Sequence, residues 1–259
     1  MSGRPVIPND VGADVTLVTV ERLELAFAPK PWPFAVEHSG EIERNFAELQ
    51  RIKPSLWNGR VLLMHEDFQI ADGVFSGRYL ETDYASMLTW NCRGRPPAGV
   101  RNCFGLGALR STDGAFIVGV MAEHTANSGY IYFPCGTPDP DDIVGATVDL
   151  ARSVEREVLE EVGLDSDAYL PMPGWYTMLA GQRIAQIRLL QARETAENLR
   201  RRIVDFLARE AKPEFSEIRI IRSPADFDPH MPAYVTTFLR HAWREEPLPS
   251  VAGSRELRT

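Results

Sequence analysis

Arg156-Glu157-Val158-Leu159-Glu160-Glu161-Val162-Gly163-Leu164 places three carboxylates and one arginine within about a turn and a half of helix. The stretch then meets a glycine, the residue that most readily takes the left-handed turn after a helix. Residues three and four apart share a helix face, so Glu157, Glu160 and Glu161 crowd together while Val154, Val158 and Val162 form an adjoining apolar stripe. Like charges at that spacing repel, and something positive must offset them. A hard divalent cation such as Mg²⁺, which takes carboxylate oxygens and keeps waters for a phosphate-bearing substrate, suits this chemistry. The competing reading is a solvated acidic helix with Arg156 paired to Glu160, which gives no reason for Gly163 to follow adjacent glutamates.

The stretch resembles the second half of the Nudix hydrolase signature, Arg-Glu-aliphatic-any-Glu-Glu-any-Gly-aliphatic, with all the specified positions filled. The first half departs from the pattern. Phe133-Pro134-Cys135-Gly136-Thr137-Pro138 reads as the strand end and turn that open it, yet the interval from Gly136 to Arg156 is longer than usual by six residues. Counted forward from Gly136, Asp142 takes the place of the expected glutamate; counted back from Arg156, Val148 does, with Asp149 beside it. Asp149 also precedes the helical spacing of Leu150, Ala151, Val154 and Val158, as a helix cap would. Cys135 stands where the family commonly has a glycine that acts through its backbone carbonyl, a role open to any residue. Cys135 as a nucleophile is the alternative, but the nearest histidine in sequence, His124, shows no sign of pairing with it.

The resemblance implies hydrolysis of a diphosphate linkage in a nucleoside diphosphate derivative. Glu157, Glu160 and Glu161 would hold Mg²⁺ or Mn²⁺, the Cys135 carbonyl would add to the shell, and Arg156 would orient Glu157. The family often draws one more acid from beyond the signature. Glu214 and Glu217 are the candidates, because Pro213-Glu214-Phe215-Ser216-Glu217 opens an expected strand. The stretched loop, the run Gly136-Thr137-Pro138-Asp139-Pro140 and a region preceding the core resemble the UDP-sugar hydrolase branch, whose products are UMP and a sugar 1-phosphate. Two alternatives stay open: a Nudix hydrolase acting on another nucleoside diphosphate derivative, and a nucleotide-binding or regulatory domain without catalysis, against which the complete set of glutamates argues. Tyr84 stacking on a base and Arg78 meeting phosphate are weighed against a buried tyrosine and a surface arginine. A zinc site at His65-Glu66 fails for want of a second histidine, since residue 69 is Gln69.

The chain has 259 residues and 44% apolar content, enough for one large domain or a core domain with a companion. A net charge of −8 disfavours nucleic-acid polymers and leaves a small-molecule partner. Cys92, Cys103 and Cys135 are too few and too oddly numbered for a disulfide framework, so reduced thiols are expected. Met1 to Pro5 is followed by polar residues, and no apolar run approaches membrane length, so cytoplasmic residence without a membrane partner is the expectation. Oligomeric state is not legible.

Pattern divides the chain near residue 100. Before it come a strand over 15–27, a helix through Ile42, Phe46 and Leu49 that Pro54 ends, strands over 60–65 and 74–80, and a helix capped by Thr82 and running to Trp90. Arg93 to Gly99 reads as a linker. A hairpin over 104–109 and 116–121 follows, then a strand over 130–133 and the acidic helix. Next come strands over 175–179 and 183–190, a helix bearing Leu199, Ile203, Phe206 and Leu207, a strand over 217–222 and a helix over 232–243. The fold class implied is α/β: a Nudix-type α/β/α sandwich with a mixed sheet over 101–244, a smaller α+β region over 1–100 before it, and a flexible tail over 245–259.

Overall fold

The computed structural model describes residues 14 to 244 apart from Ser55; the opening Met1 to Pro5 and the tail expected from residue 245 lie outside the described residues. The first part of the chain comprises β1 (Thr16–Val20), β2 (Arg22–Phe27), α1 (Pro33–Glu37), α2 (Ser39–Ile52), β3 (Arg60–Ala71), β4 (Val74–Asp83) and α3 (Tyr84–Cys92). It continues with β5 (Val100–Arg110), β6 (Phe116–Met121), β7 (Ile131–Tyr132), β8 (Cys135–Gly136), a 3-10 turn at Pro140–Asp142, β9 (Ile143–Val144), β10 (Thr147–Val148) and α4 (Leu150–Val162). The last part holds β11 (Tyr169–Pro171), β12 (Trp175–Ala180), β13 (Arg183–Ala192), α5 (Ala196–Leu207), β14 (Phe215–Ile221), a second 3-10 turn at Pro224–Asp226 and α6 (Ala233–Ala242).

The sheet is mixed and runs β1-β12-β13-β5-β3-β4-β2-β10-β9, with β8 and β6 also on β5, β14 and β7 on β6, and β11 on β13. β13 is parallel to β5 and β2 to β4, and the other pairs are antiparallel. Side chains alternate across a strand, and β5 shows what that does here. On one face, Gly105 and Gly107 leave room for Val154 and Val158 of α4. On the other, Phe104 meets Tyr234 of α6 edge-on with ring centroids 5.9 Å apart. The helices therefore cover opposite faces of the strand, and the result is an α/β/α sandwich.

The β3–β4 hairpin is buried on both sides, as the unbroken apolar run Val61-Leu62-Leu63-Met64 requires. Leu62, Met64, Phe75 and Tyr79 enter the main core with β5 and α4. Val61, Leu63 and Leu80 enter a second core with Trp32, Phe46 and Trp90, closed by α1, α2 and α3. Two indoles hold the segment expected to be a linker: Trp90 Nε1 donates to Pro96 O at 2.8 Å and Trp32 Nε1 to Ala98 O at 2.9 Å.

Two local expectations need correction. The single strand expected over 15–27 divides at Glu21, because the amides of Glu21 and Arg22 both donate to the Gly73 carbonyl. β1 then pairs with β12 while β2 pairs with β4. The cap of α3 is Asp83, whose side chain accepts from the Ser86 amide at 2.9 Å; Thr82 is instead a buried strand residue opposite Val61.

Candidate active site

Asp149 begins α4 by accepting from the amides of Ala151 and Arg152 at 3.0 and 3.1 Å, as its position before the apolar stripe implies. Gly163 ends the helix in the left-handed region at φ 67°. Val154, Val158 and Val162 are buried, so the helix rotation is set by the core. That rotation carries Glu161 inward, to 4% exposure, and leaves the Glu160 side chain 59% exposed. Glu157 lies between them, and its carboxylate rests on Gly136. A Cβ at residue 136 would fall inside the contact radius of Glu157 Oε1.

The two registers left open by the long loop are distinguished by a small hairpin. β9 and β10 pair with each other, and β10 also pairs with β2 through Thr147 and Ala26. At the base of this hairpin the Asp149 amide donates to the Asp142 carbonyl at 2.8 Å. The residues from Ile143 to Val148 are thus an inserted hairpin docked on β2, and Asp142 and Asp149 are neighbours as though it were absent. Forward counting from Gly136 is the structurally meaningful register; Val148, the product of backward counting, is a core residue at 2% exposure. Asp142 itself is 1% exposed. Its Oδ2 accepts from Arg156 Nη2 at 3.0 Å and from the Asp139 amide at 3.1 Å.

Arg156 is the hub of this side of the site. Nη1 contacts Glu157 Oε1 at 2.9 Å and Glu160 Oε2 at 3.4 Å, and Nη2 also approaches Asp139 Oδ2 at 3.5 Å. Burial alone would lower its pKa, but Glu157, Asp142 and Asp139 outweigh that and hold the guanidinium charged.

The carboxylates on the inner side behave differently. Burial pushes Glu157 up to about 7; Arg156 pulls it down, and Glu160, Glu214 and Asp142 push it up. Glu161 is raised well above the ordinary carboxylate range, by burial first and then by Glu157 and Glu214. The Cys135 amide donates to Glu161 Oε2 at 2.9 Å, which favours the ionised form but does not outweigh the rest. Glu214 stands close enough to Glu161 and Glu157 to raise both further. Carboxylates gathered on one side of a site repel one another, and a nearby cation relieves that repulsion. Among the described residues no three His, Cys, Asp or Glu side chains converge tightly enough to enclose an ion unaided; the all-oxygen donor set and its mutual repulsion nevertheless suit a hard cation.

Glu214 reaches this place from the residue before β14, where its carbonyl accepts from the Ala122 amide at 2.7 Å. Glu217, the other candidate from that segment, lies away from the cleft on the exposed face of β14 and pairs with Arg219 at 3.0 Å. The Cys135 thiol is pushed well above its ordinary value by burial, and further by Glu161, Glu157 and Glu214, with Arg183 pulling the other way. A thiol held protonated beside carboxylates is a poor nucleophile.

These groups open on a cleft of about 240 Å³. One wall carries Cys135, Gly136, Glu161 and Glu214; another, from β3 and α3, carries Val61, Tyr84, Met87, Leu88 and Asn91. Tyr84 is therefore a cleft residue. Its phenol is pushed up to about 12, by burial first and then by Glu214 and Cys92. Arg78 is not in this cleft; it lines a separate depression with Glu24, Asp67 and Ser76. The cation that lines the cleft is Arg183 at the start of β13, which no local motif marks. Asn91 carried no sequence signal either, since nothing local shows that α3 faces the glutamates.

No protein-family model matches this sequence, and no curated protein is similar to it. Solved structures do show similarity. A MutT protein from Methanosarcina mazei Go1 is 18% identical, with 56% of this chain and 94% of that one covered and a TM-score of 0.38. RenU, a Nudix hydrolase from M. smegmatis, is 16% identical over 56% of this chain and 86% of its own, with a TM-score of 0.35. A Nudix hydrolase from Nitrosomonas europaea is 15% identical over 57% and 93%, with a TM-score of 0.33.

Proposed function

We propose that this chain is a metal-dependent hydrolase that cleaves the diphosphate linkage of a nucleoside diphosphate derivative, with a UDP-sugar as substrate and UMP and a sugar 1-phosphate as products. The observation that carries the reading is the convergence of Glu161, from α4, and Glu214, from the residue before β14, on one cleft, with Glu157 four residues before Glu161 on the same helix. Oxygen donors favour Mg²⁺ or Mn²⁺. Glu157, Glu160 and Glu161 would hold the ion, with Glu214 as the additional acid and Cys135 contributing its backbone carbonyl. Such an ion, when bound, polarises phosphoryl oxygens and lowers the pKa of a water.

The chain's own residues do the positioning. Asp142 holds Arg156, and Arg156 holds Glu157. Arg183 brings positive charge to the cleft for the phosphate groups. The region before about residue 100 acts as a companion to the core and supplies the α3 wall. The choice of a UDP-sugar is supported by the Gly136-Thr137-Pro138-Asp139-Pro140 run and by that preceding region. The three free cysteines favour a reducing compartment, the cytoplasm.

The test is product release from UDP-sugars, ADP-ribose, coenzyme A, dinucleoside polyphosphates and nucleoside triphosphates with Mg²⁺ or Mn²⁺, comparing wild type with Glu161→Gln by chromatography. UMP from UDP-sugars in wild type alone is the expected result. Turnover of a different class keeps the hydrolase and discards the UDP-sugar. Nucleotide binding without turnover of any substrate overturns the reading in favour of a non-catalytic binding domain.

A further inference from the structure

Asn91 lines the cleft from α3. It is 7% exposed, and its side-chain Oδ1 is buried without a hydrogen-bond partner among the described residues. Proteins satisfy nearly all such atoms, so an unmet acceptor on a cleft wall calls for a donor from outside the chain. The backbone carbonyl of Asn91 is already engaged, accepting from the Gly94 amide at 2.9 Å.

The neighbours of Asn91 indicate what kind of donor this would be. Tyr84, Leu88 and Asn91 recur at helical spacing and so share one face of α3, and all three line the cleft. An aromatic ring and an aliphatic side chain make an apolar platform, and a carboxamide stands at its end. A planar heterocycle has the complementary form, with apolar faces and a polar edge. A carboxamide offers an acceptor and a donor side by side, the complement of an imide edge.

We propose that Asn91 determines base specificity, its carboxamide meeting the polar edge of a nucleobase whose ring lies along the Tyr84–Leu88 face of α3. The diphosphate would then extend from this wall towards Glu157, Glu161 and Glu214. The identity of the base as uracil, whose N3–H and O4 fit the carboxamide, rests on the function proposed above; the role of Asn91 rests on α3 alone.

The experiment is calorimetric titration of the full chain, with Mg²⁺ present, by UMP, AMP and base-free ribose 5-phosphate, comparing wild type with Asn91→Leu and Asn91→Asp. Both replacements are close to asparagine in size, and Asp keeps the site polar should Leu fail to fold. Wild type should bind UMP at least about tenfold more tightly than ribose 5-phosphate, tenfold being roughly one good hydrogen-bonded contact. Either variant should lose most of that advantage while binding ribose 5-phosphate as wild type does. A preference for AMP that disappears in the variants supports the role of Asn91 and overturns only the choice of uracil. Equal loss of UMP and ribose 5-phosphate, unchanged UMP binding in the variants, or no base preference in wild type overturns the proposal. Base-dependent binding without hydrolysis leaves this inference standing and removes the hydrolase.

Discussion

Asp142 Oδ2 accepts a hydrogen bond from Arg156 Nη2 at 3.0 Å, although a complete hairpin is inserted in the chain between the two residues. Asp142 is almost wholly buried and holds the arginine that in turn contacts Glu157. Supports of this kind typically change affinity or rate by about 10–100-fold when lost. Asp142→Asn should therefore fold normally and lose about 10–100-fold in kcat/KM, measured on the best substrate. A variant with wild-type kinetics would show that Arg156 positions Glu157 without help.

The carboxyl cluster predicts an unusual stability response. Removing a buried carboxyl that is disfavoured by its neighbours should not destabilise the metal-free protein. Glu161→Gln is expected to melt at or above the wild-type temperature in chelator and to lose the upward shift that millimolar Mg²⁺ gives wild type. Saturation at one hundred times Kd corresponds to about 2.7 kcal/mol, well within the reach of a melting curve. No shift in wild type would remove the cation from the site.

Gly136 and Glu157 form a second pair that can be tested. Adding a methyl group at residue 136 meets the Glu157 carboxylate, the mobile end of a side chain, before it meets any backbone. Gly136→Ala should leave the melting temperature within a few degrees of wild type while displacing the carboxylate. We expect a kcat loss of at least about tenfold, of the order found when a positioning contact is removed. A large drop in stability with unchanged specific activity would contradict this.

How much of this was legible in the sequence depended on how local each signal was. Residues 149 to 163 could be read as a helix, with its cap, apolar stripe and terminator, because every signal lies within four residues of the next. Glu214 was one of two candidates, and periodicity could not choose between it and Glu217; the choice is made by the Ala122 amide, which fixes the backbone just ahead of β14. The insertion concealed the place of Asp142, since only the folded chain, with β9 paired to β10 and the Asp149 amide on the Asp142 carbonyl, shows that Ile143 to Val148 form a separate excursion. Arg183 and Asn91 are ordinary residues in their own segments, and only tertiary packing brings them to the cleft.

At Gly107 an added methyl would meet Val158 Cγ2 and Leu190 Cδ1, both in packed core. Gly107→Ala should cost about 1–3 kcal/mol in stability, as overpacking usually does, read from urea unfolding. A neutral result would mean that α4 can move outward freely, and the metal affinity of that variant would then show whether the glutamates move with it.

Asp113 provides a pH-dependent contribution far from the cleft. Its Oδ2 accepts from Arg222 Nη1 at 2.8 Å and its Oδ1 from the Ala196 amide at 2.8 Å, at the start of α5. The Arg222 contact, followed by the other hydrogen bonds, holds its carboxyl well below the usual range despite some desolvation. A depressed carboxylate contributes stability above its unfolded pKa and loses it as pH falls through the folded value. The difference in melting temperature between wild type and Asp113→Asn should be full above about pH 5 and shrink as pH falls towards about 2.5. A difference that grows on acidification would refute the assignment.

β1 finds its partner only at β12, with Thr16 opposite Leu179. On the ribosome, β1 must therefore wait without this neighbour until the chain has been made at least as far as β12. Contacts this distant are slow to form and leave an unpaired strand edge exposed in the meantime. The α3 wall can be packed early around Trp32 and Trp90, whereas Glu214 arrives last. The cleft is thus a late product of synthesis, and an incomplete chain of this protein carries its acidic helix before it carries the enclosure that gives those charges a use.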